Sequence, residues 1–215
     1  MMGNLNKKLE VIEQSLKANL PDKVFHNIQQ SIEDVQQLSN VSGLQVGENV
    51  PDFVLQDAVG TKIHLYHELA KGPIILTFYR GGWCPFCNLQ LRAYQEILPK
   101  IQELGANLIA ISPQNPDNTL SQKEKEQLTF HVLSDTEGLV ASQFKLLFDV
   151  QDSLKSVLEG FGGNLEEYNS MERWVLPVPA TFVVDCQGVI RFSHIDPNFM
   201  RRVEPEDVLK VLETL

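Results

Sequence analysis

Apolar residues fall along the first forty positions at helical spacing. Leu5, Leu9, Ile12, Leu16 and Leu20 step by three or four, Pro21-Asp22 interrupts them, and Phe25, Ile28, Ile32, Val35 and Leu38 resume the period. Two such stripes with Gln, Glu, Asn and Lys between them predict an αα-hairpin. From Gly47 the period changes. Residues 51–55 and 62–65 read as strands flanking the turn Asp57-Ala58-Val59-Gly60. Residues 74–79 form a nearly continuous apolar, β-favouring run, as expected of a strand covered on both faces. Leu91, Tyr94, Ile97, Leu98, Ile101 and Leu104 then return to a helical stripe.

Further along, residues 107–111 and 130–133 read as buried strands on either side of a polar helical stretch ending at Leu128, and 138–144 as a short helix. Within the connection 145–172, Leu146, Leu147, Val150, Leu154, Val157 and Leu158 predict a helix that the glycines at 160, 162 and 163 end. Residues 179–184 and 189–192 predict a hairpin about Asp185-Cys186-Gln187-Gly188, and Pro205-Glu206-Asp207 opens a last helix with proline and acids in its first turn. Strands alternating with helices predict a three-layer α/β sandwich with a largely parallel central portion, residues 46–215, behind an N-terminal helical extension, 1–45. The hairpin is read as packed on its own domain, with a homodimer contact through it as the alternative.

Composition narrows the classes of function. A hydrophobic fraction of 43%, a charged fraction of 21% and 215 residues are those of one soluble domain with an appendage. A net charge of −10 argues against nucleic-acid or anionic-membrane partners. No basic segment leads into an apolar core at the N-terminus and no run approaches about 20 apolar residues, so a cytoplasmic protein is expected. Three cysteines make no disulfide framework, and a CxxC in a reducing compartment is catalytic or metal-binding. The remaining Cys186 and five histidines form no second ligand pair, so neither a metal nor a cofactor is expected.

The chemistry concentrates at Trp83-Cys84-Pro85-Phe86-Cys87. The run 74–79 feeds the tight turn Arg80-Gly81-Gly82, and Pro85 suits a first helical turn, so both thiols sit at the positive end of a helix beside unpaired N–H groups. That setting favours thiolate over thiol, and Arg80 adds to it if its side chain folds back over the turn.

Four segments, VGENVPDFVLQDAVGTKIHL, LTFYRGGWCPFC, FHVLSDTEG and PATFVVDCQGVIRF, occur in the order and at the separations of the thioredoxin-fold redoxins. From Val46 to the C-terminus the chain resembles the peroxiredoxins (alkyl hydroperoxide reductase and thiol-specific antioxidant family), in a CxxC-containing subgroup. The resemblance implies a thioredoxin-like sandwich and a thiol-dependent peroxidase. It would reduce hydrogen peroxide or organic hydroperoxides through Cys84 and Cys87, and an external dithiol such as the thioredoxin or glutathione system would restore it. Against the peroxiredoxin pattern P-x-x-x-T-x-x-C, Arg80 takes the proline position, Cys84 the threonine position and Cys87 the position of the attacking cysteine. Pro179 takes the position of the family's later arginine. Trp83 and Pro179 instead resemble thioredoxin, whose cis-proline faces the disulfide, so Pro179 is expected to be cis. Thioredoxin logic makes Cys84 the nucleophile and peroxiredoxin logic makes it Cys87. The other readings are a thiol–disulfide oxidoreductase using the same CxxC, and a non-enzymatic redox switch. Arg173 could replace the missing guanidinium but reads better as a surface residue, Cys186 reads as a plain hairpin residue, and His131 carries no role.

Overall fold

The computed structural model describes residues 4–215, so residues 1–3 of the expected extension lie outside the described residues. Two helices, α1 (Asn4–Asn19) and α2 (Asp22–Gln36), open the chain. They lead into β1 (Val54–Asp57), β2 (Lys62–His64), α3 (Leu65–Leu69), β3 (Ile74–Phe78), α4 (Pro85–Glu103), β4 (Asn107–Ser112), α5 (Pro116–Lys125), β5 (His131–Ser134) and α6 (Leu139–Gln143). The chain closes with β6 (Leu147–Asp149), α7 (Asp152–Gly160), α8 (Leu165–Asn169), β7 (Val175–Pro177), β8 (Ala180–Val184), β9 (Ile190–Ile195) and α9 (Pro205–Leu212).

Seven strands make one sheet in the order β2-β1-β5-β4-β3-β8-β9. The middle three, β5, β4 and β3, run parallel, and β8, β9, β1 and β2 extend the sheet antiparallel on both sides. Strand β3 lies between β4 and β8, and every residue in it is buried. Side chains alternate across a strand, so Ile74, Leu76 and Phe78 enter one core with Phe144 and Phe182. Ile75 and Tyr79 enter the other, with Leu91, Tyr94 and Ile101 of α4. Covering both faces with helices gives the three-layer sandwich expected from the alternating pattern.

The hairpin spends its apolar stripes on its own chain. Leu5 and Leu9 bury beside Leu91 and Tyr94 of α4, and the stripe of α2, Phe25, Ile28, Ile32 and Val35, is buried as well. A homodimer through the hairpin would therefore rest on its polar outer face. The first turn of α1 is fastened by Glu204, whose carboxylate accepts from the backbone N–H groups of Leu5, at 3.1 Å, and Asn6, at 2.8 Å. An anion there satisfies orphan donors at the positive helix end. Among the described residues no helix is long and apolar enough to cross a membrane.

Two expectations need correcting. The helix predicted from Leu146 begins only at Asp152; residues before it form β6, paired antiparallel with β7 as Leu147↔Pro177, Phe148↔Leu176 and Asp149↔Val175. Leu146 and Phe148 both bury, an alternation of period two that a short apolar run does not distinguish from a helical start. Pro179 is trans, since the described residues contain no cis peptide bond.

Candidate functional site

Cys84 caps α4 with extended backbone, φ −89° and ψ 114°, Pro85 follows at the first helical position, and Cys87 lies on the first turn. Both sulfurs are free thiols and both are buried. Trp83 and Cys84 follow a glycine that the geometry requires. Gly81 has φ +145°, and a Cβ there would meet Trp83 Nε1 at 2.5 Å.

The turn is held by a closed ring of amides. Gly82 N–H donates to Gln114 Oε1 at 2.9 Å, Gln114 Nε2 donates to Gln122 Oε1 at 2.7 Å, Gln122 Nε2 donates to Asn88 Oδ1 at 2.7 Å, and Asn88 Nδ2 donates back to the Gly82 carbonyl at 2.7 Å. Tyr79 Oη sits inside the ring, donating to Gln122 Oε1 at 2.8 Å and accepting from Gln114 Nε2 at 3.0 Å. Gln114 is fully buried, so Gln114→Leu strands several partners at once. We expect a loss of about 1–3 kcal/mol from unsatisfied buried groups, read as a lower urea midpoint.

Two guanidinium groups converge on the sulfurs. Arg202, from the segment between β9 and α9, places Nη2 3.4 Å from Cys87 Sγ. Its Nε donates to Gln90 Oε1 at 2.6 Å and its Nη1 donates to the carbonyls of Phe199 and Arg201. Gln90 Nε2 in turn reaches Thr77 Oγ1 and Thr181 Oγ1 at 3.4 and 3.3 Å. Asn6 of α1 donates to the Arg202 carbonyl at 2.9 Å, so the N-terminal hairpin is tied to the segment that delivers this arginine. Arg80 folds back over the turn as expected. Its guanidinium carbon lies 4.8 Å from the Trp83 ring centre and 3.9 Å from that of Phe199, a stacked cation in a buried setting.

These neighbours divide the pair. Burial pushes the Cys87 thiol up, but the Cys84 hydrogen bond, Arg202, the Arg80 backbone N–H and the Arg80 charge together hold it down at about 5. Burial and the adjacent Cys87 push the Cys84 thiol well above its ordinary value, against the pull of both arginines. One proton thus sits on Cys84 and the negative charge on Cys87. Burial lowers the Arg80 pKa while the two sulfurs raise it; a guanidinium nonetheless stays charged. A metal cation at the sulfurs would face both of these positive charges.

Beside the redox turn opens a cavity of about 640 Å³, with Cys84, Trp83 and Arg80 in its lining; Cys87 is fully buried and does not line it. Pro179 does not line it. The proline lines instead a small hollow shared with Arg80 and Phe199. Arg173 is a surface residue paired with Asp149, with Nε donating to Oδ1 at 2.6 Å. Cys186 is exposed in its hairpin turn.

The model of the AhpC/TSA family matches residues 46–193. The chain belongs to the AhpC/TSA family. Within it, 101 residues are 30% identical to the putative peroxiredoxin Rv1608c of Mycobacterium tuberculosis, covering 47% of this chain and 66% of that protein. A longer match, 25% identical over 195 residues, covers 90% of this chain and 80% of the chloroplastic peroxiredoxin Q of Populus jackii. The thiol–disulfide oxidoreductase ResA of Bacillus thuringiensis is 26% identical over 148 residues, 68% of each chain. Among solved structures, peroxidoxin BcpB from Mycobacterium tuberculosis superposes with a TM-score of 0.65 over 80% of this chain and 98% of its own, at 22% identity, a likeness of fold alone.

Arg202 is the residue that the sequence did not disclose. The AhpC/TSA chain has Pro179 where the family's arginine was expected, and the guanidinium arrives from a different segment, flanked by no motif. The one local sign is its setting between Met200 and Val203, both buried.

Proposed function

We propose that the protein is a thiol-dependent peroxidase in which Cys87 is the resting thiolate and Cys84 the resolving thiol. The observation that carries this reading is Arg202 Nη2 at 3.4 Å from Cys87 Sγ, a charged hydrogen bond to Cys87, whereas the arginines act on Cys84 through their charge. The Cys87 thiolate attacks the terminal oxygen of a hydroperoxide, the O–O bond breaks, and Cys87 becomes a sulfenic acid. The departing alkoxide or hydroxide takes the proton held on Cys84, beside the Arg80 guanidinium. The Cys84 thiolate so formed displaces hydroxide from the sulfenic sulfur, giving the Cys84–Cys87 disulfide.

An external dithiol of thioredoxin or glutathione type then returns both thiols, two electrons for each peroxide reduced. A reducing compartment such as the cytoplasm suits that cycle. One equivalent of peroxide should form the Cys84–Cys87 disulfide much faster than it oxidises free cysteine, read by mass spectrometry after acid quenching. A rate no better than free cysteine would overturn the proposal.

A further inference from the structure

Among the described residues, Arg202 is a buried cation with no carboxylate partner. It is 5% exposed and takes part in none of the ion pairs. Its Nε and Nη1 donate only to the neutral oxygens of Gln90, Phe199 and Arg201. A guanidinium out of water needs an anion, and the Cys87 sulfur within its hydrogen-bond reach can become one. An arginine side chain has many rotamers, so something must aim it.

Two groups grip it. Gln90 stands three residues after Cys87 on α4, on the same helix face, and is 1% exposed. A guanidinium only donates, so the amide must turn its oxygen to Arg202 Nε, at 2.6 Å, and its nitrogen to the hydroxyls of Thr77 and Thr181. Tyr94 Oη lies 3.3 Å from the same Thr181 hydroxyl, which anchors the row in the sheet. The other grip is on the backbone. Asn6 Nδ2 donates to the Arg202 carbonyl at 2.9 Å, and Asn6 Oδ1 faces the Arg202 N–H at 3.5 Å. Glu204, the acid two residues on, is occupied by α1, accepting from the Leu5 and Asn6 backbone N–H groups and from Asn6 Nδ2 at 2.6 Å. The hairpin thereby holds the arginine's backbone and engages a carboxylate that would otherwise compete for the guanidinium. Asn6 and Arg202 both lie outside the family-matched residues 46–193.

We propose that Gln90 and Asn6 are positioning residues that hold Arg202 on the Cys87 sulfur, which makes the N-terminal hairpin a working part of the redox site. This builds on Cys87 as the resting thiolate, and both residues act through Arg202.

Thiolate ultraviolet absorbance followed against pH reads the sulfur directly and needs no peroxide. The other titratable and charged groups around Cys87 and Arg202 are Cys84 and Arg80 on the turn, Tyr79 after β3, Tyr94 on α4, and His194 of β9 with Asp196. Of these only Cys84 is a thiol, and burial and Cys87 push it up, out of the range. Cys186→Ser removes the exposed third thiol. In that background the absorbance should rise with a midpoint of about 5. Gln90→Leu and Asn6→Ala should each move the midpoint up by about 0.5 pH units or more, a fraction of the 1–3 expected for losing Arg202 itself. Combined with Arg202→Met, neither should add more than about 0.3 pH units, because no guanidinium is left to aim. Asn6 is half-buried, so Asn6→Ala keeps the test decisive if Gln90→Leu does not fold. An unchanged midpoint in either folded variant, or equal shifts with and without Arg202, would overturn the proposal. The expected titrations together with slow peroxide oxidation would support it and overturn only the peroxidase reading.

Discussion

Arg202→Met is expected to move the acid limb of peroxide reactivity upward. In the wild type the thiolate of Cys87 should persist down to about pH 5, so the disulfide-forming rate stays flat from pH 8 and halves near 5. Taking away an opposite charge at contact distance raises an acid's pKa by roughly 1–3 pH units, and the limb should climb by that amount. At any pH below the new midpoint the thiolate fraction falls about tenfold per pH unit, although a more basic thiolate is also intrinsically more nucleophilic and offsets part of the loss. The midpoint is therefore the sharper readout than the rate at one pH. Arg202→Lys keeps the charge and should restore most of the shift, which a purely structural role of the side chain would not do.

The same depressed thiol contributes to stability with a definite sign. A group whose folded pKa is lowered stabilises fully above its unfolded value, near 8.5 for cysteine, and loses that contribution as the pH falls toward its folded value. For Cys87 the window runs from about 8.5 down to about 5. Wild-type stability should decline through it more steeply than that of Cys87→Ser.

The second large effect concerns the pair itself. Cys87→Ser should reduce steady-state peroxide turnover to the level without enzyme, since the hydroxyl left at Ser cannot ionise at neutral pH. Cys84→Ser should keep one fast oxidation and then stall, because the sulfenic acid at position 87 has no neighbouring thiol to condense with. A coupled assay with excess dithiol and a single-turnover measurement together separate these outcomes. If Cys84→Ser instead turns over at the wild-type rate, an external thiol resolves the sulfenic acid and Cys84 is dispensable.

Much of this arrangement was legible in the chain. The run 74–79 reads as a doubly covered strand because it is nearly all apolar, and it proves to hold a fully buried interior strand of the sheet. The redox helix follows from Pro85 and the stripe Leu91, Tyr94, Ile97, Leu98, Ile101 and Leu104, of which Leu91, Tyr94, Leu98 and Ile101 are buried, Ile97 is half-buried and Leu104 is exposed. What escaped were features made by tertiary contact. Strands β6 and β7 are three residues each and lie 25 residues apart in the chain, too short for a period to declare itself. The short helices α3 and α8, five residues each, left no stripe to read.

The site was legible at its centre and hidden at its edges. Cys84, Cys87 and the folded-back Arg80 follow from local rules about helix starts and turns. Arg202 lies 115 residues beyond Cys87, so only the fold brings them together. Pro179, by contrast, was expected in the cis form facing the sulfurs; it is trans and lines a small hollow with Arg80 and Phe199.

Which sulfur meets the peroxide is the central claim, and sulfenic-acid trapping tests it most directly. Cys84→Ser and Cys87→Ser are each treated with one equivalent of peroxide in the presence of dimedone, and the adduct is located by mass spectrometry. The account predicts an adduct on Cys87 in Cys84→Ser and none on Cys84 in Cys87→Ser. A Cys84 adduct in Cys87→Ser, with none on Cys87 in Cys84→Ser, would contradict it.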